Sequence, residues 1–121
     1  MSKRILVVED HEENRRIVRD LLTSAGLEMI EAHTGEDGVR LAESERPDLI
    51  LMDIQLPGLD GYEATRRIKA NPALRSIPII AVTSYALSGD EMKAREAGCD
   101  DYVAKPFSPR ALLAKIREHL K

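Results

Sequence analysis

The sequence is poor in cysteine and in aromatic residues. Cys99 is the only cysteine among 121 residues, so the chain cannot form an internal disulfide or a site of several cysteine ligands. We interpret Cys99 as a small packed or partly exposed side chain without a function. With no Trp, one Phe and three Tyr, the sequence has few rings on which a flavin could stack. These shortages argue against a disulfide scaffold, a thiolate metal site and a flavoprotein.

A basic excess and long apolar runs are also missing. The net charge is −3 and the pI is near 5.6, whereas a nucleic-acid-binding domain is usually basic. No apolar run reaches the length of a signal-peptide core or a membrane span. Hydrophobic residues make up 43% of the chain, which is enough for a packed core. We expect one domain over residues 1–121, located in the cytoplasm, that binds neither nucleic acid nor membrane.

Short apolar segments alternate with segments of helical spacing five times along the chain. The predicted strands are Arg4 to Val8, Glu28 to Ala32, Leu49 to Asp53, Ile79 to Val82 and Asp101 to Val103. Three of them are almost entirely apolar, which is typical of parallel strands covered on both faces. The helical stripes between them are assigned to the core: Ile17, Leu21 and Leu22; Val39 and Ala42; Tyr62, Thr65 and Ile68; and Leu112, Leu113, Ile116 and Leu120.

Capping residues mark the ends of the predicted helices. N-cap residues followed three places later by an acid are Thr34 with Asp37, Asp60 with Glu63, and Ser88 with Glu91, while Ser108 precedes a proline. Gly26 and Gly98 stand where the first and fourth helices should end. Strand–helix alternation with short loops predicts a doubly wound parallel sheet, an α/β fold that binds ligands beyond the carboxyl ends of its strands.

Polar side chains follow or end four of the predicted strands. They are Glu9, Asp10, Asp53, Thr83 and Lys105, and a parallel sheet would bring them to one edge. Mg²⁺ prefers oxygen ligands and takes one or two protein carboxylates, so Asp10 and Asp53 are the candidate direct ligands and Glu9 a ligand through water. Lys105 would offset negative charge beside an incoming phosphoryl group, and the Thr83 hydroxyl could donate to it. Asp53 is then the candidate nucleophile, which would form an acyl phosphate.

The alternative for each acid taken alone is a solvated loop residue, which is the commoner situation for charged side chains. Compatible groups from four segments at one sheet edge make an accidental arrangement improbable. His11 and His33 receive no role, because an exposed histidine at a loop or a helix start is the simpler interpretation.

From Lys3 to Leu120 the chain resembles the receiver domain of bacterial response regulators. The resemblance rests on ILVVED (5–10), DLILMDIQLPGLDGYE (48–63), IPIIAVTSYA (77–86) and GCDDYVAKPF (98–107). It implies a flavodoxin-like (CheY-like) fold, with five parallel strands in the order 2-1-3-4-5. It also implies the site residues, which are the metal acids Glu9 and Asp10, the phosphoacceptor Asp53, the backbone carbonyl of Gln55 as a metal ligand, the phosphoryl-stabilising Thr83 and Lys105, the switch pair Thr83 and Tyr102, and a cis Lys105–Pro106 peptide.

The resemblance further implies a switch that is not a conventional enzyme. A histidine kinase or histidine phosphotransfer protein would phosphorylate Asp53 with Mg²⁺ or Mn²⁺, changing the face formed by residues 88–120. Gln55 and Tyr85 would tune the phosphoryl lifetime. The detailed likeness is to stand-alone cell-cycle and polarity regulators of alpha-proteobacteria, acting as monomers or as weak, phosphorylation-linked dimers. Two alternatives stay open: a phosphate-independent docking module, and a phosphatase of the haloacid-dehalogenase type, against which Gln55 counts because that class has an aspartate there.

Overall fold

Five strands and five helices alternate along the chain in the computed structural model, which describes residues 2–83, 90–105 and 108–120. The strands are β1 (Arg4–Val8), β2 (Glu28–Ala32), β3 (Leu49–Asp53), β4 (Ile79–Thr83) and β5 (Asp101–Ala104). The helices are α1 (Glu12–Ser24), α2 (Gly35–Glu45), α3 (Gly61–Ala70), α4 (Asp90–Ala97) and α5 (Pro109–His119). Within the described ranges, no helix has the length and apolar character that crossing a membrane requires.

All five strands pair in parallel in the order β2-β1-β3-β4-β5. The predicted doubly wound α/β fold and its strand order are therefore confirmed. The order places the carboxyl ends of β1, β3 and β4 side by side in the middle of the sheet, next to the end of β5. It leaves β2 and β5 as the two edge strands.

The sheet is buried on both faces, and alternate strand residues point to different helices. Ile5 and Val7 belong to an apolar cluster that includes α1 and α5, whereas Leu6 and Val8 belong to one that includes residues of α2, α3 and α4. All five residues of β3 are buried. Cys99 is buried as well, beside Thr65, in agreement with its assignment as a packed side chain.

The assignment of Ile17 to the core is wrong, because this side chain is 50% exposed. The buried residues of α1 are Arg15, Val18 and Leu22, which are spaced along one stripe of the helix. Ile17 lies about 100° around the helix from Val18, so it faces away from that stripe. A buried arginine within the stripe was not foreseen from the apolar pattern.

Most of the predicted helix boundaries agree with the structure. The side chains of Thr34, Asp60 and Ser108 each accept a hydrogen bond from the backbone N–H three residues later. Gly26 and Gly98 follow α1 and α4 with φ of 77° and 112°, the left-handed region that glycine tolerates best. The proposed cap Ser88 lies outside the described residues. β4 and β5 are each one residue longer than predicted, because Thr83 pairs with Ala104.

Candidate functional site

The predicted site residues come from the carboxyl ends of four neighbouring strands. Glu9 and Asp10 follow β1, Asp53 ends β3, Thr83 ends β4, and Lys105 follows β5. The sheet carries these groups to a common edge, and the side chains of Glu9, Asp53 and Thr83 are buried there. The Lys105 N–H donates to the Thr83 carbonyl at 2.5 Å, which extends the β4–β5 pairing up to the site.

Lys105 joins the first and third strands through two ionic contacts. Its Nζ lies 2.6 Å from Glu9 Oε1 and 3.4 Å from Asp53 Oδ2. Only 6% of the Glu9 side chain and 4% of the Asp53 side chain are exposed. Two carboxylates in so little solvent would repel each other strongly, so the ammonium supplies the compensation that burial requires.

The two buried carboxyls have pKa values shifted in opposite directions. Burial and the nearby charge of Glu9 raise the pKa of Asp53 to about 6, against the opposing hydrogen bond from the Gln55 N–H and the charge of Lys105. Burial also acts to raise the pKa of Glu9, but the hydrogen bonds from Lys105 and the His11 N–H outweigh it and hold this pKa at about 2. Glu9 therefore keeps its charge across the physiological range, and Asp53 is the carboxyl whose charge state responds to its surroundings.

Asp10 offers a lone pair that the described residues leave unused. Its Oδ1 is buried and has no hydrogen-bond partner within the described part of the chain. His11, the N-cap of α1, lies over the same turn, with Nδ1 3.2 Å from Asp10 Oδ1 and 3.4 Å from Glu9 Oε2. Ligand atoms of Glu9, Asp10 and His11 all lie within 4.8 Å of one another. The His11 contact meets no hydrogen-bond geometry, so Asp10 Oδ1 stays a buried carboxylate oxygen without an aligned donor among the described residues, which fits a hard divalent cation, and the neighbouring oxygens suit the same ion.

The turn after β3 fixes the Asp53 carboxylate from its own backbone. The Gln55 N–H donates to Asp53 Oδ1 at 3.0 Å, and the Ile54 N–H donates to the Val82 carbonyl at 3.0 Å. Gly61 begins α3 directly against this turn, where an added Cβ would lie 2.2 Å from the Asp53 carbonyl oxygen. The Asp53 carboxylate therefore sits on a backbone that is held on two sides.

Thr83 and Tyr102, the predicted switch pair, lie on the adjacent strands β4 and β5. Thr83 is 1% exposed, and Tyr102 is partly buried against the cluster on the α3 and α4 side. Gln55 is exposed and stands two residues after Asp53, and the metal-ligand role of its carbonyl stays a prediction. Tyr85 and Pro106 lie outside the described residues, so the predictions of lifetime tuning by Tyr85 and of a cis Lys105–Pro106 peptide stay predictions.

Sequence and structure comparisons show the family. The family model described as the response regulator receiver domain matches residues 5–117. The chain belongs to the response regulator receiver family. Family membership makes this receiver a component of two-component signalling and not a conventional enzyme.

Whole-length relatives agree with this assignment. The receiver is 44% identical over 120 residues to the polar-differentiation response regulator DivK of Brucella anthropi, covering 99% of this chain and 98% of that protein. This likeness confirms the predicted resemblance to stand-alone regulators of alpha-proteobacteria.

Solved structures reproduce the whole fold. The receiver domain of the sensor histidine kinase PA1611 from Pseudomonas aeruginosa, a structure with a magnesium ion in its active-site cleft, has a TM-score of 0.92 and 42% identity, covering 99% of this chain and 98% of that one. The chemotaxis protein CheY4 of Vibrio cholerae has a TM-score of 0.93 and 25% identity, covering 99% of this chain and 100% of that one. The prediction of a CheY-like fold is confirmed.

One residue of the receiver site could not be found by motif. Arg15 of α1 is buried, and its Nη1 donates to the Glu9 carbonyl at 2.8 Å. In the sequence it stands next to Arg16, which is exposed, and no motif in the neighbouring residues predicts that one arginine is buried and the other is not. The only available signal was the helical stripe formed with Val18 and Leu22, which would have suggested burial.

Proposed function

We propose that this receiver is a phosphorylation-activated signalling switch with Asp53 as its phosphoacceptor. The observation that carries the proposal is the contact of Lys105 with both Glu9 and Asp53 at the buried end of the sheet. A nearly enclosed carboxylate beside one mobile cation can act as a nucleophile toward phosphorus, while that cation offsets the charge of the incoming group. The cavity beneath these side chains is about 20 Å³, room for one water molecule, so the reacting group must approach from the surface.

Residues present at the site fit a Mg²⁺ ion. Asp10 and Asp53 would hold it directly, the Gln55 carbonyl would be a further ligand, and Glu9 would act through water. When bound, the ion offsets the negative charge of the phosphoryl oxygens. The oxygen-rich donor set and the unused Asp10 Oδ1 support this assignment, as does the magnesium in the receiver of PA1611. Mn²⁺ takes similar ligands and would substitute.

In the proposed transfer, a carboxylate oxygen of Asp53 attacks the phosphorus of a phosphohistidine on a histidine kinase or phosphotransfer protein. The new O–P bond forms as the N–P bond breaks, and the electron pair stays on the imidazole nitrogen. Lys105 and the Thr83 hydroxyl would contact the transferred oxygens. A bound cation would favour the ionised nucleophile further, because burial and Glu9 raise the pKa of Asp53 to about 6 even against the Gln55 N–H hydrogen bond and the charge of Lys105.

The output of the switch would be a changed protein-binding face. Movement of Thr83 toward the phosphoryl group would be coupled to Tyr102, altering the surface of α4, β5 and α5. Phosphorylation needs to favour one of two packings by only a few kcal/mol to exchange their populations. We propose that the protein works in the cytoplasm as a single domain over residues 1–121, and that it controls partner proteins as a monomer or as a weak, phosphorylation-linked dimer.

The proposal is tested by intact mass after incubation with acetyl phosphate, with Mg²⁺ or with EDTA. Wild type should gain one phosphoryl group only with Mg²⁺, and Asp53→Asn should gain none. Asp20→Asn, which changes an exposed acid of α1, is the matched control and should behave as wild type. No gain by wild type from either acetyl phosphate or a phosphohistidine donor would favour a docking module that works without phosphate.

A further inference from the structure

Arg15 is a buried cation on α1 for which the switch described above has no role. Its side chain is only 7% exposed, although arginine is rarely buried unless it is paired. Nη2 donates to Glu12 Oε2 at 2.5 Å, and Nε lies 3.2 Å from Glu31 Oε1. Two glutamates, one on the same helix and one on β2, therefore hold the guanidinium in place.

The third nitrogen of this guanidinium donates to the backbone at Glu9, in the loop of residues 9–10 that carries two of the proposed metal-binding carboxylates. Nη1 donates to the Glu9 carbonyl at 2.8 Å, and the Glu9 N–H donates to the Ala32 carbonyl at 3.0 Å. The Glu9 carbonyl is part of the peptide that joins Glu9 to Asp10. Because the peptide is planar, a hydrogen bond that fixes this carbonyl also fixes the plane from which the chain continues into Asp10.

Arg19 shares the acidic partners of Arg15 without sharing its contact with the loop. It binds Glu31 through Nε at 3.1 Å and Nη2 at 2.6 Å, and its Nη2 lies 3.5 Å from Glu12. The two arginines thus carry the same charge in the same cluster. They differ in burial, with 7% of the Arg15 and 36% of the Arg19 side chain exposed, and in the hydrogen bond to the Glu9 carbonyl, which among the described residues is donated by Arg15 and not by Arg19. Comparing them, together with Arg15→Lys, separates this directional hydrogen bond from a general effect of positive charge.

We propose that Arg15 is a positioning residue for the metal site. It fixes the Glu9–Asp10 peptide so that both carboxylates face the ion before the ion arrives. The inference rests on the proposed function, since it concerns the Mg²⁺ that supports phosphorylation of Asp53. Groups that orient metal ligands in this way typically change metal affinity 10- to 100-fold when they are removed.

The test measures the Mg²⁺ dissociation constant by calorimetry for wild type, Arg15→Met, Arg15→Lys and Arg19→Met. Arg15→Met should weaken binding by at least about 10-fold and Arg19→Met by less than about 3-fold. Arg15→Lys should recover only part of the affinity, because an ammonium lacks the planar fork that contacts the carbonyl and both glutamates together. In phosphorylation assays, Arg15→Met should raise the Mg²⁺ concentration for half-maximal rate and leave the rate at saturating Mg²⁺ nearly unchanged.

Two results would overturn the inference. If Arg15→Met and Arg19→Met weaken Mg²⁺ binding equally, and Arg15→Lys recovers the full affinity, the effect is due to positive charge alone. A folded Arg15→Met with the affinity of wild type would remove the effect altogether. If Arg15→Met does not fold, Glu31→Met is compared with Glu28→Met on the same strand, and equal Mg²⁺ affinities of these two would also refute the inference. Failure of wild type itself to bind Mg²⁺ or to accept a phosphoryl group would instead refute the proposed function.

Discussion

Among single residues, Asp53 has the most consequential environment, since a buried carboxyl with a raised pKa holds its proton more tightly in the folded than in the unfolded chain. The stability it contributes is fully present below its unfolded value of 3.8 and is lost as the pH rises through about 6. At neutral pH, without a metal, its charge therefore opposes folding. Binding of a cation beside Asp53 would remove this destabilisation, because it would compensate the charge of the buried carboxylate.

Replacing Asp53 by Asn should therefore stabilise the metal-free protein at pH 7.5, by on the order of 2–3 kcal/mol. The gain should shrink as the pH falls toward 4, where the wild-type carboxyl is protonated. Urea unfolding with EDTA at both pH values measures it. A gain that is absent at pH 7.5, or that is larger in acid, would contradict the assigned pKa shift. Asp20→Asn serves as the control for a lost surface charge.

Lys105 is the second residue at which a strong effect is expected. Lys105→Met would leave Glu9 and Asp53 buried without their shared cation, and breaking a buried ion pair in this way typically costs about 3–5 kcal/mol. We expect the pKa of Asp53 to rise further and loading from acetyl phosphate to slow by roughly 100-fold. Carboxyl chemical shifts against pH and the rate of mass gain report the two effects. Lys93→Met, on the exposed surface of α4, should change neither.

Prediction from sequence succeeded in bringing Asp53 and Lys105 to one edge of the sheet, because parallel strands bring their carboxyl ends together. The roles assigned to the two residues stay predictions. Prediction from sequence failed for Ile17 and Arg15, since an apolar residue can be exposed and a charged one buried when neighbouring elements decide the contact. Arg15 is stabilised by Glu31, 16 positions away in sequence, and no helical period reveals such a partner.

At the scale of elements, the start of α3 is pressed against the end of β3. A Cβ at Gly61 would lie 2.2 Å from the Asp53 carbonyl oxygen and 2.7 Å from Ile54 Cα, both of which are backbone atoms that cannot rotate away. Gly61→Ala should destabilise the protein by about 3 kcal/mol or more and disturb the turn after β3 that holds the Asp53 carboxylate. Denaturant unfolding and the amide shift of Gln55 measure these effects. Arg66→Ala, at an exposed position of the same helix, should be nearly neutral, and equal effects of the two would contradict the contact.

The contact between β5 and α5 contains another titratable group with a shifted pKa, Asp101. Burial acts to raise the pKa of Asp101, but hydrogen bonds from His119, the Tyr102 N–H and Lys115 lower it to about 2. This contribution to stability is present above pH 4 and is lost as the pH falls through about 2. Asp101→Asn should therefore cost about 1–2 kcal/mol at pH 7 and almost nothing near pH 2. Unfolding at several pH values tests this, and a loss that does not depend on pH would refute it.

Helix ends were predicted well because capping is local. Thr34, Asp60 and Ser108 act within three residues of themselves, and the structure uses each of them. The start of α1 was not marked, since its N-cap His11 makes no side-chain capping bond. His11 instead lies against the carboxylates of Glu9 and Asp10, a placement that depends on the turn after β1 and not on helix propensity.

At the scale of the whole molecule, a cation that binds only the folded state raises the free energy of unfolding. At a Mg²⁺ concentration 100 times the dissociation constant, the gain should be about 2.7 kcal/mol, and EDTA should reverse it. Asp10→Asn should abolish most of this gain because it removes the carboxylate whose buried Oδ1 accepts no aligned hydrogen bond among the described residues. Thermal unfolding with and without Mg²⁺ measures the difference. An undiminished gain in Asp10→Asn would place the ion elsewhere.

The overall topology followed from the sequence because strand–helix alternation leaves few arrangements of one parallel sheet. The order β2-β1-β3-β4-β5 came from family resemblance and agrees with the structure. The apolar run of β3, from Leu49 to Met52, predicted a strand covered on both faces, and all five residues of β3 are buried. The alternation did not predict the exact end of each strand, because the ends depend on pairing with the neighbouring strands.

The two edge strands of this sheet both carry acidic side chains. β2 has Glu28 and Glu31, and β5 has Asp101. An open strand edge is a template on which a second chain can add its own strand and begin a fibril. Glu31 and Asp101 are paired with cations, so the exposed Glu28 is the carboxylate that would meet its own copy if two β2 edges approached each other. The protein should therefore tolerate high concentration without adding strands at the β2 edge.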